Sequence, residues 1–262
     1  MILSGISIYP VKSLAGVELS TVTIDGFGPA GDRRWLVTNA AGRFLTQREH
    51  PGMALLKALP QQDALTLQAG QDAITVPVPG GKARERLVQV WDDHVRARDA
   101  GDDAADWLSE RLGQTCRLFY MPDNAVRLVD GLYAQGGESV SFADGFPILL
   151  ISQASLDNLN TRLPSPVPMN RFRPNLVVDG CEAFAEDEWK LIRVGDMAFK
   201  VAKPCSRCVM PSIIQETAER DPHITRALAA YRRVDGNIFF GQNLLYEQRG
   251  ELNVGDAIEV LE

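Results

Sequence analysis

The first ninety residues are a succession of short, β-branched stretches punctuated by glycine, and this pattern narrows the fold more than any other feature. Ile2, Ile6 and Ile8 fall at strand spacing, then Val17, Leu19, Val22 and Ile24, then Trp35-Leu36-Val37. Asn39-Ala40-Ala41-Gly42 has the composition of a turn. Leu65-Thr66-Leu67, Ile74-Thr75-Val76 and Leu87-Val88-Gln89-Val90-Trp91 extend the series. Side chains alternate across a strand, so each stretch buries one face and needs neighbours. Many such strands predict a barrel or a sandwich.

The second half adds helices without becoming a run of βαβ units. A helix is predicted over residues 102–112, capped by Asp102 or Asp103, with Trp107, Leu108 and Leu112 on one face and Gly113 just past its end. Pro122 to Ser141 is polar and reads as a long loop or a join between domains. Ser152 caps a helix carrying Leu156, Leu159 and Leu163, ended by Pro164. Asp221-Pro222 opens another, with Ile224, Leu228 and Tyr231 on its apolar face. Strands are expected at 147–151, 175–178, 189–194, 197–202, 207–214, 237–247 and 257–261. Val194-Gly195-Asp196 and Val254-Gly255-Asp256 echo one another and read as two hairpin turns. The class is α+β and β-rich. The absence of βαβ units argues against a Rossmann domain, and Gly26-Phe27-Gly28 lacks the third glycine and following helix of a phosphate-binding fingerprint.

Charge narrows the partners. The 262 residues carry a net charge of −7, which argues against a nucleic-acid binder. Lys12, Arg33, Arg34, Arg48, Arg171, Arg173 and Arg207 nevertheless fall in apolar or turn-like contexts and could form a local anion pocket if the fold gathers them. No apolar run reaches membrane-spanning length, and Met1-Ile2-Leu3-Ser4-Gly5 lacks the basic start of a signal peptide. The few, unevenly spaced cysteines fit a reducing compartment. A cytoplasmic protein with no membrane partner is therefore expected.

Two of the four cysteines sit together in Lys203-Pro204-Cys205-Ser206-Arg207-Cys208-Val209. A redox dithiol needs a helix N-terminus to stabilise the attacking thiolate. Here the flanks are strand-like, and Pro211 disfavours a following helix. A zinc site needs four close ligands, but Cys116 and Cys181 stand alone and His50, His94 and His223 are scattered. The same count argues against a self-contained iron–sulfur cluster. Two readings remain: buried cysteines acting as small apolar residues, or one thiolate beside Arg207 holding a soft transition metal.

Several motifs carry a resemblance. Tyr9-Pro10-Val11-Lys12-Ser13 and Gly31-Asp32-Arg33-Arg34-Trp35-Leu36-Val37 resemble the N-terminal β-barrel domain that accompanies MOSC domains. Phe172-Arg173-Pro174-Asn175, Ala185-Glu186-Asp187-Glu188-Trp189, Cys205-Ser206-Arg207-Cys208 and Phe240-Gly241-Gln242-Asn243 resemble the MOSC domain itself. They occur in order over essentially the whole chain. The whole resembles the amidoxime reducing components and bacterial enzymes that detoxify N-hydroxylaminopurine. The resemblance implies a β-barrel-like domain over 1–120 and a MOSC β-barrel domain over 121–262, with a few peripheral helices.

It also implies a molybdenum cofactor, with Cys208 as the single protein ligand to the metal and the catalytic cysteine, and Cys205 as a neighbour. Lys12, Ser13, Arg33 and Arg173 would contact the pterin or its phosphate, supported by Asn175. Ser206 and Arg207 would close over the cofactor, and Asn243 would reach it. Gly145 and Phe146, in Asp144-Gly145-Phe146-Pro147, would contribute backbone contacts. The implied activity is reduction of N-hydroxylated or N-oxide compounds, in which two electrons and two protons release the oxygen as water. The general acid is not evident; Asp187 is a candidate, but an ordinary surface carboxylate is the plainer reading.

Some bacterial relatives continue into a ferredoxin-like domain, whereas this chain ends at Glu262 without such a cysteine cluster. Electrons would then come from a separate ferredoxin, flavodoxin or haem protein with its reductase. Two rival readings stay open. MOSC domains are also fused to cofactor sulfurases, so Cys208 or Cys205 could carry a persulfide, although the chain has no pyridoxal-phosphate desulfurase domain. Alternatively, the protein could bind the cofactor without turnover.

Overall fold

The computed structural model describes every residue except Gln135. Among the described residues strands dominate, and three α-helices accompany them: α1 (Asp102–Leu112), α2 (Gln153–Asn160) and α3 (His223–Tyr231). The architecture is α+β and β-rich, as the short alternating stretches predict.

The largest sheet has nine strands and mixes the two ends of the chain. Its order is Ile258–Val260, Leu191–Val194, Met197–Ser206, Asn237–Tyr246, Ile148–Ser152, Leu176–Asp179, Ile2–Ile8, Val17–Leu19, with Arg233–Val234 pairing off this path. The first nineteen residues thus complete a sheet built mainly by residues 148–260. Thr21–Ile24 likewise pairs with Gly250–Asn253. Ile148–Ser152 and Leu176–Asp179 run parallel, and α2 lies in the connection between them. Residues 35–120 form two smaller sheets: Trp35–Asn39, Cys116–Tyr120, Asp93–Asp99 and Glu85–Val90 in one, and Lys57–Pro60, Ala64–Ala69 and Asp72–Pro77 in the other. Among the described residues no helix is long and apolar enough to cross a membrane.

The sheets pack into several cores, and Trp35–Asn39 buries both faces: Trp35 and Val37 enter one core and Leu36 another. Leu3, Ile6 and Ile8 pack with Leu150, Leu176, Phe199 and Leu244 in one core, while Trp35, Val37, Leu65, Leu67, Trp107 and Leu108 form another. Burying each such side chain contributes about 1.5–3 kcal/mol. The alternation expected for Ile2, Ile6 and Ile8 breaks at one point. Pairing with Leu176–Asp179 shifts register between Leu3 and Gly5. A bulge of this kind reverses the faces beyond it, so Leu3 is buried and Ile2 exposed.

Other local expectations need correction. Residues 207–214 are not a strand. The ladder ends at Ser206, and Met210–Ser212 forms a 3₁₀ turn closed by bonds from Ser212 N to Val209 O and Ile213 N to Met210 O. Pro211, which has no N–H to offer a ladder, sits inside that turn. The cap of α1 is Gly101 at φ 97°, not an aspartate; Asp102 bonds Arg117 instead. Gly113 does close α1 in the left-handed conformation. Ser152 does cap α2, accepting from Ser155 N, but α2 stops at Asn160 before Leu163. Pro222 is the cap of α3 rather than its first residue, and Asp221 accepts from His223 N. Gly195 turns a hairpin between Leu191–Val194 and Met197–Ser206. Gly255 does not, because the strands beside it pair with different partners. Five strands among the described residues escaped the sequence pattern: Lys57–Pro60, Asp93–Asp99, Cys116–Tyr120, Arg233–Val234 and Gly250–Asn253.

Candidate active site

A cleft with a cavity of about 120 Å³ gathers residues from seven separate stretches of chain. Lys12, Ser13, Arg33, Gly145, Phe146, Arg173, Asn175, Ser206, Arg207, Cys208 and Asn243 all line it, so every residue expected to contact the cofactor meets there. Cys205 lines it as well.

Three of these residues hold a backbone conformation that side chains rarely adopt. Ser13, Arg33 and Arg173 have φ of 68°, 47° and 57°. Each such residue costs on the order of 1–3 kcal/mol and persists only where its surroundings enforce it. The enforcement is visible. Gln47 donates to Ser13 O at 2.8 Å, and Arg33 N donates to Tyr9 O at 2.8 Å. Arg33 and Arg173 stack on the Tyr9 ring, with guanidinium carbons 4.2 and 4.1 Å from its centroid. Arg33 also donates to Asp32 Oδ2 at 2.7 Å and Asn175 Oδ1 at 3.1 Å. Burial pulls Arg173 down to about 10, which leaves it charged at neutral pH.

Asn175 is saturated by the fold. Its Oδ1 also accepts from Leu149 N and its Nδ2 donates to Ser7 O. It supports the cleft by tying Ile2–Ile8 to Ile148–Ser152. Asn243 lies on Asn237–Tyr246 opposite Lys203 and donates to Lys203 O. Phe146 packs edge-on against Tyr133.

Lys12 is buried and donates to Phe142 O at 2.7 Å and Asp144 Oδ1 at 2.6 Å. Burial lowers it to about 8, against the pull of Asp144. The Asp144 carboxyl sits well below the usual carboxylate range. Desolvation pushes the other way, but its side chain keeps 65% exposure and pairing with Lys12, then Arg48, outweighs it. Arg127 fixes this loop through bonds to Ser141 O, Ala143 O and Asp144 O.

Cys208 is exposed in the loop beyond Met197–Ser206. Arg48 donates to its sulfur twice, from Nε at 3.3 Å and Nη2 at 3.2 Å. Arg207, although beside it in sequence, donates instead to Cys205 Sγ at 3.2 Å and Phe172 O at 2.6 Å. The role of Arg48 at Cys208 and the Asp144 side chain are what the sequence did not reveal. Arg48 stood out only as a cation in an unusual context, and no local pattern links it to a cysteine 160 residues away.

Five of the seven cations singled out therefore line the cleft: Lys12, Arg33, Arg48, Arg173 and Arg207. Arg34 is used elsewhere, on Met121 O, Asp123 and the Phe27 ring. Arg171 bonds Pro211 O near Asp221. Asp187 is outside the cleft and neither free nor poised as an acid: Arg232 and Gln242 both donate to its carboxylate. Its neighbour Glu186 is buried at the start of α2, accepting from Ser152 N, Ser152 Oγ and Ser155 Oγ. An anion there complements the positive end of a helix.

Comparison with known proteins places this arrangement. Residues 1–115 match the MOSC N-terminal beta barrel domain, and residues 137–259 match the MOSC domain. "Mitochondrial amidoxime-reducing component 1" of Mus musculus is 32% identical over 97% of this chain and 80% of its own length. The chain belongs to the MOSC family. The Homo sapiens protein of the same name is 31% identical, covering 97% of this chain and 81% of that protein. "Molybdenum cofactor sulfurase" of Oryza sativa subsp. japonica is 31% identical over 94% of this chain, which spans only 32% of that longer protein. The crystal structure of the YUAD protein from Bacillus subtilis superposes with a TM-score of 0.47 at 12% identity, covering 98% of this chain and 93% of that one.

In this MOSC protein the lining suits an anionic, sulfur-seeking group. Five cationic side chains face one carboxylate, Asp144, in a chain whose net charge is −7. An exposed thiol opens onto the same space. Phosphate needs charged and fork-shaped donors, and a soft metal needs sulfur. Both are present.

Proposed function

We propose that the chain binds a molybdenum cofactor in this cleft and reduces N-hydroxylated or N-oxide compounds. One observation carries the reading: the exposed Cys208 sulfur opens into a cleft where cations outnumber carboxylates five to one. Cys208 would be the metal's protein ligand. Arg33, Arg173, Lys12 and Ser13 would hold the phosphate and pterin, with Arg207, Ser206 and Asn243 closing the site. When bound, molybdenum supplies the removal of oxygen from an N–O bond in exchange for two electrons. The protein supplies charge, orientation and exclusion of water.

Lys12 at about 8 is mostly protonated near neutral pH and keeps one positive charge in the cleft. Asp144, held ionised by Lys12 and Arg48, is an acceptor and not a proton donor at that pH. The electrons would come from a separate ferredoxin, flavodoxin or haem protein. The names of the amidoxime-reducing relatives support the reaction class.

Protein from a molybdenum-replete host, given a chemical electron donor, should reduce a simple amidoxime and carry molybdenum by elemental analysis. Loaded protein that leaves amidoxime unreduced would overturn the reading. The sulfurase relatives motivate a second reading. In it Cys205 or Cys208 carries a persulfide, and intact-mass analysis showing an added sulfur atom with no molybdenum would favour it.

A further inference from the structure

We infer that Arg48 is a positioning residue for the Cys208 sulfur: it aims the sulfur into the cleft and draws electron density from it. The inference rests on the molybdenum site proposed above. Two N–H groups of one guanidinium converge on Sγ at 3.3 and 3.2 Å. The other contact to that sulfur is a weaker one, from Met210 N at 3.5 Å. An exposed cysteine on a loop has several rotamers open to it, and a two-pronged contact selects one.

Arg48 is itself held on several sides, which is why it can act as a fixture. Its guanidinium lies 4.6 Å from the Trp91 ring centroid. Its Nη2 lies 3.6 Å from Asp144 Oδ2. Its backbone carbonyl accepts from Arg220 Nη2 at 2.5 Å. Trp91 is fixed in turn, donating from Nε1 to Asp144 Oδ1 at 3.2 Å and meeting Phe44 edge-on. It occupies the left-handed conformation at φ 54° on the turn between Glu85–Val90 and Asp93–Asp99. Lys12 anchors the other end through Asp144. A continuous chain of contacts thus runs from Lys12 through Asp144 and Arg48 to Cys208. The neighbouring sulfur is excluded from it: Arg207 takes Cys205.

Hydrogen bonds to a ligating sulfur weaken its donation to the metal and raise the reduction potential. Residues of this supporting kind typically change metal affinity by about 10–100-fold when removed. The test compares wild type, R48M, R48K and W91F, each produced in a molybdenum-replete host. Molybdenum per protein is measured after gel filtration, the metal's reduction potential by titration followed by electron paramagnetic resonance, and folding by thermal melting.

R48M is expected to lose metal more readily by about 10–100-fold, in line with that range, and to show a more negative potential. R48K keeps the charge but not the fork, so it should fall between R48M and wild type. W91F should shift the potential the same way by less. If R48M fails to fold, R48K decides. Loaded R48M, or in its place R48K, with retention and potential equal to wild type overturns the inference and leaves the functional reading intact. Wild-type protein that takes up no molybdenum overturns both.

Discussion

Replacing Gly241 with alanine tests whether the sheet under the cleft is as tightly specified as the structure indicates. Gly241 has φ 82°, and a Cβ there would lie 2.6 Å from Ile151 Cγ1 and 2.8 Å from the Leu150 carbonyl oxygen. Neither can move aside cheaply. Ile151 is fully buried, and the carbonyl belongs to Ile148–Ser152, which pairs with Asn237–Tyr246. The left-handed conformation costs an alanine about 1–2 kcal/mol, and forcing a methyl into packed space costs about 1–3 kcal/mol. Together these come to about 2–5 kcal/mol, a fall in Tm of roughly 4–20 °C for a chain of this size. Gly145 is the control. It also lies in a cleft-lining motif, yet an added Cβ meets nothing within 4 Å and no positive φ constrains it. Calorimetry on Gly241→Ala and Gly145→Ala should show a large loss for the first and less than about 1 kcal/mol for the second. Equal melting temperatures for the two variants would refute the reasoning.

Three further outcomes are expected. Cys208→Ser should abolish molybdenum retention while Cys205→Ser largely preserves it, measured by elemental analysis; equal loss would point to a shared dithiol role. Lys12 has its folded value lowered from 10.5 to about 8, so the unfolded chain binds more protons between those values and stability rises with pH across that window. Urea unfolding of wild type and Lys12→Met should show that rise in the wild type only, and identical pH profiles would contradict it. Glu186→Ala should destabilise by about 1–3 kcal/mol for each buried donor left unpaired at the start of α2, with Glu186→Gln recovering part; a neutral Glu186→Ala in denaturant unfolding would contradict its role there.

How much of this was legible depends on the range of the physics involved. The strand at Trp35-Leu36-Val37, the alternation at Leu65-Thr66-Leu67, the capping serine of α2 and the glycine closing α1 are local signals, and each is matched by the structure. The expected strand over 207–214 failed because a β-branched run says nothing about whether a partner edge is present, and Pro211 bends it into a turn. Ile2 was expected to face inward with Ile6 and Ile8, but a bulge at Ser4, set by pairing with a segment more than 170 residues away, turned it out. The motif residues of the cleft were readable by resemblance. Arg48's role at the sulfur was not, since its partner is defined only by the folded chain.

Residue order alone determined most of the short strands, the Ser152 cap of α2 and the Gly113 end of α1, the acidic balance and the single conspicuous cysteine pair. These follow from neighbours a few positions apart, where steric preference and side-chain alternation act directly. Only the tertiary structure decided that the chain's first nineteen residues complete a sheet made by its second half, that five scattered cations line one cleft, and that Arg48 rather than Arg207 reaches the Cys208 sulfur. Sheet register and left-handed turns set those meetings, and both are resolved only when distant segments compete for the same hydrogen-bonding edges and buried faces.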